Sequence, residues 1–590
     1  MSTPPVSRVD RWFSRPAALK IAILAGAVLA LPSLRLGFFA DDDALIAYLD
    51  KRASFNPPWY DLYRFVPGDP KGTLALVAHG QVAWWAAPGL RLHLVRPLSS
   101  ALFALDHALY GPSPLGYHLQ SFAWWLAFLL AVRSLYVRIL PAPTAAIGVL
   151  LFAVTDAAVY PYGWIAARHT LVAAAPAVFA LTAAVRHREE RWVAGRWLAP
   201  VGMIVGLAGG EMALGALAFW TSYEVFGPRR PTAWKDRLAC AAWPIAIGLA
   251  YLALYSAWEG GARESGGYVD PTSTRAFVLA AAVRLPALLA AALVHLPAEL
   301  ATSVPATPFI VTAAAAVAMV ALLWRACPLF IADEERAAMR WLVPGAFLSM
   351  FGALGGFPGS REVLVADLAW CALVAVLLRH GFRGGGRTAV VRRAVTGVLA
   401  AVHLVVAPLL GAGTLLGIAG LTQQVAALAR SPAYTDGPTD RHVFIAQASD
   451  PMAFLYPLAL LTREGQTDRA CFSVLSAVKS DVRIARTGPS TLEIEPTSGS
   501  MLRGPFETLY RAPEIGLHPG DEVVACDGVI RVLAVDAAAR PTRIRLTVTA
   551  SLDSPGVRVV VWRGGALAPL RLAVGTTEII PWTPGPTGLF

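Results

Sequence analysis

Residues 17–43 read AALKIAILAGAVLALPSLRLGFFADDD, an apolar run from Ala17 to Phe39 followed at once by three carboxylates, Asp41, Asp42 and Asp43. A helix crosses a bilayer core with about 20 apolar residues, so this run is long enough to span. Arg8, Arg11, Arg15 and Lys20 precede it or open it, and such charge marks the cytoplasmic side of a span. No small-residue cleavage site follows, which predicts an uncleaved first span. The N-terminus is expected in the cytoplasm of an inner (cytoplasmic) membrane protein, and the acidic triplet at the outer boundary.

The whole chain fits that start. It has 590 residues, 56% hydrophobic and 15% charged, with a mean hydropathy of +0.54. Ordinary soluble domains are about 25% charged, so a simple soluble enzyme is excluded. The net charge of +11 is uneven: residues 421–590 hold 16 Lys+Arg against 16 Asp+Glu, so all the excess lies in residues 1–420. Positive charge in an apolar region orients spans; a nucleic-acid partner is not expected, and membrane lipids are.

Further apolar runs fall at about 116–139, 142–160, 168–186, 197–210, 211–226, 238–256, 306–325, 341–358, 363–379 and 393–416. The N-terminus and the loops taken as inward together carry 22 basic residues against 8 acids, among them Arg133, Arg138, Arg229, Arg230, Arg379 and Arg393. About eleven transmembrane helices satisfy this bias. The pair 197–226 reads as a short hairpin with Glu211 at its outer tip. Residues 276–297, interrupted by Arg284, Pro286, His295 and Pro297, are expected to form a re-entrant or interfacial helix, since irregular backbone is tolerated where protein buries it.

Beyond residue 420 the texture changes to β-branched stretches such as 542–549 and 557–562, bounded by Gly and Pro, which read as strands. The expected division is therefore an α-helical polytopic membrane domain over 1–420 and a mostly β soluble domain over 421–590, outside the cytoplasm. Cys240, Cys327 and Cys371 fall in or beside spans and read as small buried hydrophobes. Cys471 and Cys526 could pair in an oxidising compartment, but their spacing alone leaves that open.

Several residues could carry chemistry. Asp41, Asp42 and Asp43 crowd like charge, which raises the pKa of at least one of them unless a cation compensates. They suit a general base, a site for a divalent metal on Asp41 and Asp42, or a solvated acidic patch. Arg168, in Trp164-Ile165-Ala166-Ala167-Arg168, could grip phosphate in a bidentate fork or anchor a span end. Glu211 is an ionisable group at membrane depth, functional by default or paired within the protein. Arg361 sits beside Glu362 between two spans, with a local ion pair as its plainer reading.

The order of these motifs resembles the GT-C superfamily of integral-membrane glycosyltransferases, in particular its protein O-mannosyltransferase-like and transmembrane O-mannosyltransferase-like branch. Phe38 to Ile46 resembles the acidic first outer loop. Arg96-Pro97-Leu98, Asp106-His107 and Tyr117-His118-Leu119 resemble the stretch before the second span. Trp164 to Arg168, Gly210-Glu211 and Ser360-Arg361 resemble the later motifs. The chain departs where it has Ser121 and Trp125, Thr155-Asp156 in place of a His-Pro pair, Gly210 in place of lysine, and Glu362 in place of tyrosine.

The resemblance implies a transferase that moves a sugar from a polyprenyl-phosphate donor to an acceptor glycan, lipid or protein on the extracytoplasmic face. Asp41 would be the base and Asp42 its partner or a metal ligand. Arg168 and Arg361 would clamp phosphate, Glu211 would orient an arginine or the sugar, and Asp106 and His118 would line the substrate site. No certain cofactor is implied. A catalytically degenerate scaffold whose outer domain binds polysaccharide or a protein, and a polytopic transporter, compete with this reading.

Overall fold

A computed structural model describes residues 8–586 except 228–232, 270–272, 303–305, 327–330, 384–388, 439, 451–452 and 468–469. Arg229, Arg230 and Cys327 lie outside the described residues. The chain divides into two compact units. The first comprises 1–37, 95–259 and 271–418, and the second 38–94, 260–270 and 419–590. This differs from a single cut at residue 420, because the loop after the first span and a short segment at 260–270 group with the C-terminal part.

The first unit is helical and the protein is an integral membrane protein. Among the described residues, seven helices are long and apolar enough to cross a membrane, or eight if the bent pair Ala142–Ala153 and Asp156–Gly163 counts as one. Eleven were expected. The helices Gly195–Gly209, Ala213–Phe226 and Asp367–His380, of 15, 14 and 14 residues, fall short of the ~20 residues a crossing needs.

The first two of these form the expected hairpin. Gly195 lies against Ala183 and His187, and Gly206 against Ala173 and Ala177, so the first arm runs antiparallel to the helix His169–Glu190. The second arm returns, and Arg188 donates to Glu224 at 2.9 Å from Nε. Glu211 is thus turned toward the Arg168 end of His169–Glu190.

At the other end, loops read as inward meet one another. Arg138 pairs with Glu190 at 3.3 Å, Asp10 with Arg379 at 2.9 Å, and the buried Glu335 with Arg379 at 2.9 Å and His380 at 2.7 Å. Residues from the N-terminal helix Arg8–Phe13 and from four later segments therefore share one end of the unit.

The segment 276–297 was expected to be re-entrant or interfacial; instead residues 276–294 belong to a continuous helix, Thr274–Val294, regular across Pro286 and long enough to cross. Arg284 is accommodated because its Nη1 donates to the Leu354 carbonyl at 2.8 Å. Phe277 packs on Phe351 with ring centroids 4.9 Å apart, and the Ala298 N–H donates to Ser360 Oγ at 3.2 Å.

Among the described residues the second unit holds thirteen strands: β1 Arg64–Pro67, β2 Arg91–His93, β3 Gly261–Arg263, β4 Arg441–Gln447, β5 Ala470–Val474, β6 Val482–Gly488, β7 Thr491–Pro496, β8 Glu522–Ala525, β9 Gly528–Val535, β10 Pro541–Val548, β11 Val557–Arg563, β12 Ala566–Pro569 and β13 Thr577–Ile580. They make sheets ordered β1-β2-β3, β13-β6-β7-β10-β9-β8 and β12-β11-β4-β5. Burial alternates along β7, as one wet face requires. In β11, four successive residues are buried. That strand runs parallel to β4, and parallel strands are commonly covered on both faces.

The early loop joins this unit through its core. Trp84 and Trp85 are each 1% exposed, and their indole N–H groups donate to the carbonyls of Leu475 at 3.0 Å and Glu507 at 3.1 Å. Cys471 on β5 and Cys526 between β8 and β9 form a disulfide, with Cα atoms 5.3 Å apart, inside the 4.4–6.8 Å that such a bridge requires.

Candidate functional site

The expected site residues fall in both units. Asp106, His118, Arg168, Glu211 and Arg361 belong to the first, and Asp41 and Asp42 to the second.

In the first unit, Arg168 closes a short 3₁₀ turn, Ile165–Arg168, at the head of a long helix. It is 2% exposed. Its Nη2 lies 2.6 Å from Asp106 Oδ2, and its Nη1 donates to the Tyr117 carbonyl at 3.0 Å. Gln120 donates to the other Asp106 oxygen at 2.7 Å. Burial pushes the Asp106 carboxyl above its usual range, while Arg168 pulls it back. Arg168 was expected to clamp phosphate or to anchor a span end; its guanidinium is buried and paired with Asp106 on the helix Pro97–Tyr110.

Glu211 meets Arg96 in a fork. Arg96 Nε donates to Glu211 Oε2 at 3.0 Å, and Nη2 contacts Oε1. Two parallel charge-assisted bonds fix orientation as well as adding attraction. Ser99, one turn along, donates to the Gly209 carbonyl at 2.6 Å. Between them Gly210 has φ +152° and ψ 173°, a conformation essentially confined to glycine. The lysine of the resembled motif would be strained there, so the departure has a backbone cause.

Arg361 carries the plainer reading: its Nε lies 3.2 Å from Glu362, and its guanidinium sits over the Trp164 ring, 5.3 Å from the centroid. It also acts electrostatically on Glu211. The turn after residue 209, the tryptophan motif and the late arginine are therefore neighbours. Its side chain is 30% exposed, against 3% for Arg168 and 8% for Arg96. His118, buried, approaches the Gly37 carbonyl at 3.4 Å.

In the second unit the acidic triplet opens the helix Asp41–Leu49, where carboxylates complement the helix dipole. Asp42 is fully buried and its Oδ2 accepts the Phe39 N–H at 2.9 Å, which ties the start of the helix to the turn before it. Asp43 pairs with Arg463 at 2.7 Å. Burial pushes its carboxyl up to about 6, against the lowering pull of Arg463. Asp41 is the most exposed of the three. Among the described residues no three His, Cys, Asp or Glu side chains are grouped to hold a metal ion, and Asp42 is already engaged by backbone.

Sequence alone assigns no role to Arg96 or to Arg463, yet each pairs with an acid of the expected site. Arg96 could have been suspected as the cation nearest in kind to an unpaired Glu211. Arg463 lies some 420 residues from Asp43, and no local pattern connects them.

Fold and site together define a polytopic integral membrane protein with a β-rich second unit and buried ion pairs joining distant loops. No family model matches the chain, and no curated protein sequence does. Two of the solved structures that are similar are the following. One is an oligosaccharyltransferase of Archaeoglobus fulgidus tethered to an acceptor peptide, at 11% identity and a TM-score of 0.39, covering 76% of this chain and 63% of that one. The chain thus spans less than two thirds of that protein's length. The other is ArnT from Cupriavidus metallidurans bound to undecaprenyl phosphate, at 14% identity and a TM-score of 0.39, covering 91% of this chain and 98% of that one. Neither likeness, at that identity and TM-score, assigns the chain to a family.

Proposed function

We propose that the protein is a membrane glycosyltransferase of the GT-C type, taking a sugar from a polyprenyl-phosphate carrier and passing it to a hydroxyl of a glycan, lipid or protein acceptor. The observation that carries this reading is that the resembled motifs between Arg96 and Arg361 are joined in space as Arg168 with Asp106, Arg96 with Glu211, and Arg361 beside Trp164. Motifs that merely ended separate spans would not need one another.

In this reading Arg361, the most exposed of the three arginines, meets the lipid phosphate, because the leaving group gains charge as the bond breaks. Arg96 and Glu211 hold the turn beside it. Arg168 and Asp106 position the tryptophan motif and do not touch substrate. The acceptor oxygen attacks the anomeric carbon, the carbon–oxygen bond to phosphate breaks with its electron pair leaving on phosphate, and the acceptor proton passes to a carboxylate. Asp41, partly exposed, is the proposed base; Asp42 shapes the turn that presents it. No step is routed through a metal.

A degenerate scaffold is the second reading, favoured by Gly210, whose backbone conformation disfavours the lysine of the resembled motif. Asp41→Asn and Asp42→Asn variants, scored for a surface glycoconjugate with membrane levels of protein checked, separate the two. The transferase reading expects Asp41→Asn to abolish the glycan at normal protein levels. Wild-type glycan in both variants would overturn it.

A further inference from the structure

Three apolar segments of the membrane unit each depart from regular α-helix, and residues at the three departures are linked in series. The bent pair Ala142–Ala153 and Asp156–Gly163 breaks just before Asp156. The helix Thr274–Val294 ends on His295, which has φ +54°. The long helix Ala389–Ala429 takes a π-helical turn at Val402–Val406, containing His403. Single π turns inside helices recur at functional sites.

Asp156 Oδ1 lies 2.6 Å from His295 Nδ1, His295 Nε2 lies 2.8 Å from His403 Nδ1, and His403 Nε2 lies 3.0 Å from the Leu293 carbonyl. The two histidines are 5% and 1% exposed. Asp156 and His403 each stand fourteen residues from the start of their segments, at 142 and 389. That is about 21 Å of helix, within a hydrocarbon layer about 30 Å thick.

The chain of contacts fixes a proton count. The Leu293 carbonyl can only accept, so His403 Nε2 carries a proton. Each of the other two links also needs one. Two neutral imidazoles and an ionised carboxylate supply two protons, whereas three bonds in series need three. The third can rest on Asp156, on His295 as imidazolium, or on His403 as imidazolium, and every bond is kept in all three cases. We propose that Asp156, His295 and His403 form a proton-binding relay inside the membrane unit, open to exchange at the Asp156 end. The far end is closed by the Leu293 carbonyl, and Asp156 is the most exposed member, at 11% of its side chain against 3% for His295.

The surroundings suit a held proton. Asp367 and Cys371, on the helix Asp367–His380, and Tyr162, on the helix Val159–Gly163, act electrostatically on or with Asp156. Asp367 is buried; Thr155 donates to its Oδ2 at 3.3 Å, and its Oδ1 has no hydrogen-bond partner. A second buried acid, Asp367, therefore lies beside the Asp156 end of the relay. The segments packed on Thr274–Val294 bring Glu299, whose oxygens accept from Ser360, and Arg361 with Glu362. Ionisable chains of this kind inside a membrane unit mark proton paths. The relay uses none of the residues placed in the transfer site.

The test is ¹⁵N-histidine NMR of the full chain in lipid vesicles between pH 5 and 9, with His295→Gln and His403→Gln to assign signals. The two rings are expected to titrate together. Asp156→Asn is expected to move the His403 transition by about one pH unit, although the two residues do not touch. Independent titration of the rings, or none, would overturn the relay, and the wild-type protein alone decides that if the Asp156 variant fails to fold. A folded Asp156→Asn protein with an unmoved His403 would overturn it as well.

Discussion

The guanidinium of Arg168 lies 2.6 Å from the carboxylate of Asp106, and both side chains are buried, at 3% and 0% exposed. Breaking such a pair leaves a charge without water or partner, which costs about 3–5 kcal/mol, whereas replacing both members by apolar residues is often neutral or better. Arg168→Ala and Asp106→Ala are expected to lower the melting temperature in detergent sharply. The double variant Asp106→Leu with Arg168→Met is expected to recover most of the loss. Equal melting of all four proteins would show that the pair does not bear on stability.

Gly210 separates two helices at a conformation that side chains avoid. Gly210→Lys, the residue of the resembled motif, is expected to destabilise the protein by about 1–3 kcal/mol and to loosen the Arg96–Glu211 fork. Thermal unfolding reads the first effect. Loss of coupling between Arg96→Ala and Glu211→Ala in a double-mutant cycle on the Gly210→Lys background reads the second.

Asp43 sets a pH dependence with a definite sign. Its folded carboxyl is raised from 3.8 to about 6 by burial, so between those values the folded protein binds more protons than the unfolded chain. Stability must then fall as pH rises from about 4 to about 6, and level off above, with a total on the order of 3 kcal/mol from this group. Asp43→Asn is expected to remove that slope. Chemical unfolding at pH 4, 5, 6 and 7 measures it, and a parallel profile for the variant would contradict the assignment.

The Cys471–Cys526 bridge closes a loop 55 residues long. Cys471→Ser is expected to cost about 2–4 kcal/mol of stability, and a reductant is expected to lower the melting temperature of the wild type but not of the variant. The bridge also calls for an oxidising compartment around the second unit, so a reporter fused at the C-terminus should give an extracytoplasmic signal.

The first span, the long apolar helices, the 197–226 hairpin and the strands near 542–549 and 557–562 could be read directly from the chain, because each depends on hydrophobic length or period over a few neighbouring residues. That the loops carrying Arg138, Arg188 and Arg379 belong to one end of the unit was readable too, since charge bias acts on each loop separately. Asp41, Glu211 and Arg361 stood out for the same local reason: charge at the end of an apolar run.

Only tertiary structure decided what those charges do. That Arg168 is enclosed by Asp106, that Glu211 is gripped by Arg96, that Asp43 is answered by Arg463, and that Trp84 and Trp85 draw residues 38–94 into the second unit all depend on contacts between positions far apart in sequence. Such pairs leave no periodic trace. A buried charge is stable only beside its partner, and hydropathy records the burial but not the partner's address. The sequence by itself therefore determined a polytopic membrane chain with a β-rich end, while folding decided which of its ionisable groups are paired, which remain partly exposed, and which line up as Asp156, His295 and His403 do.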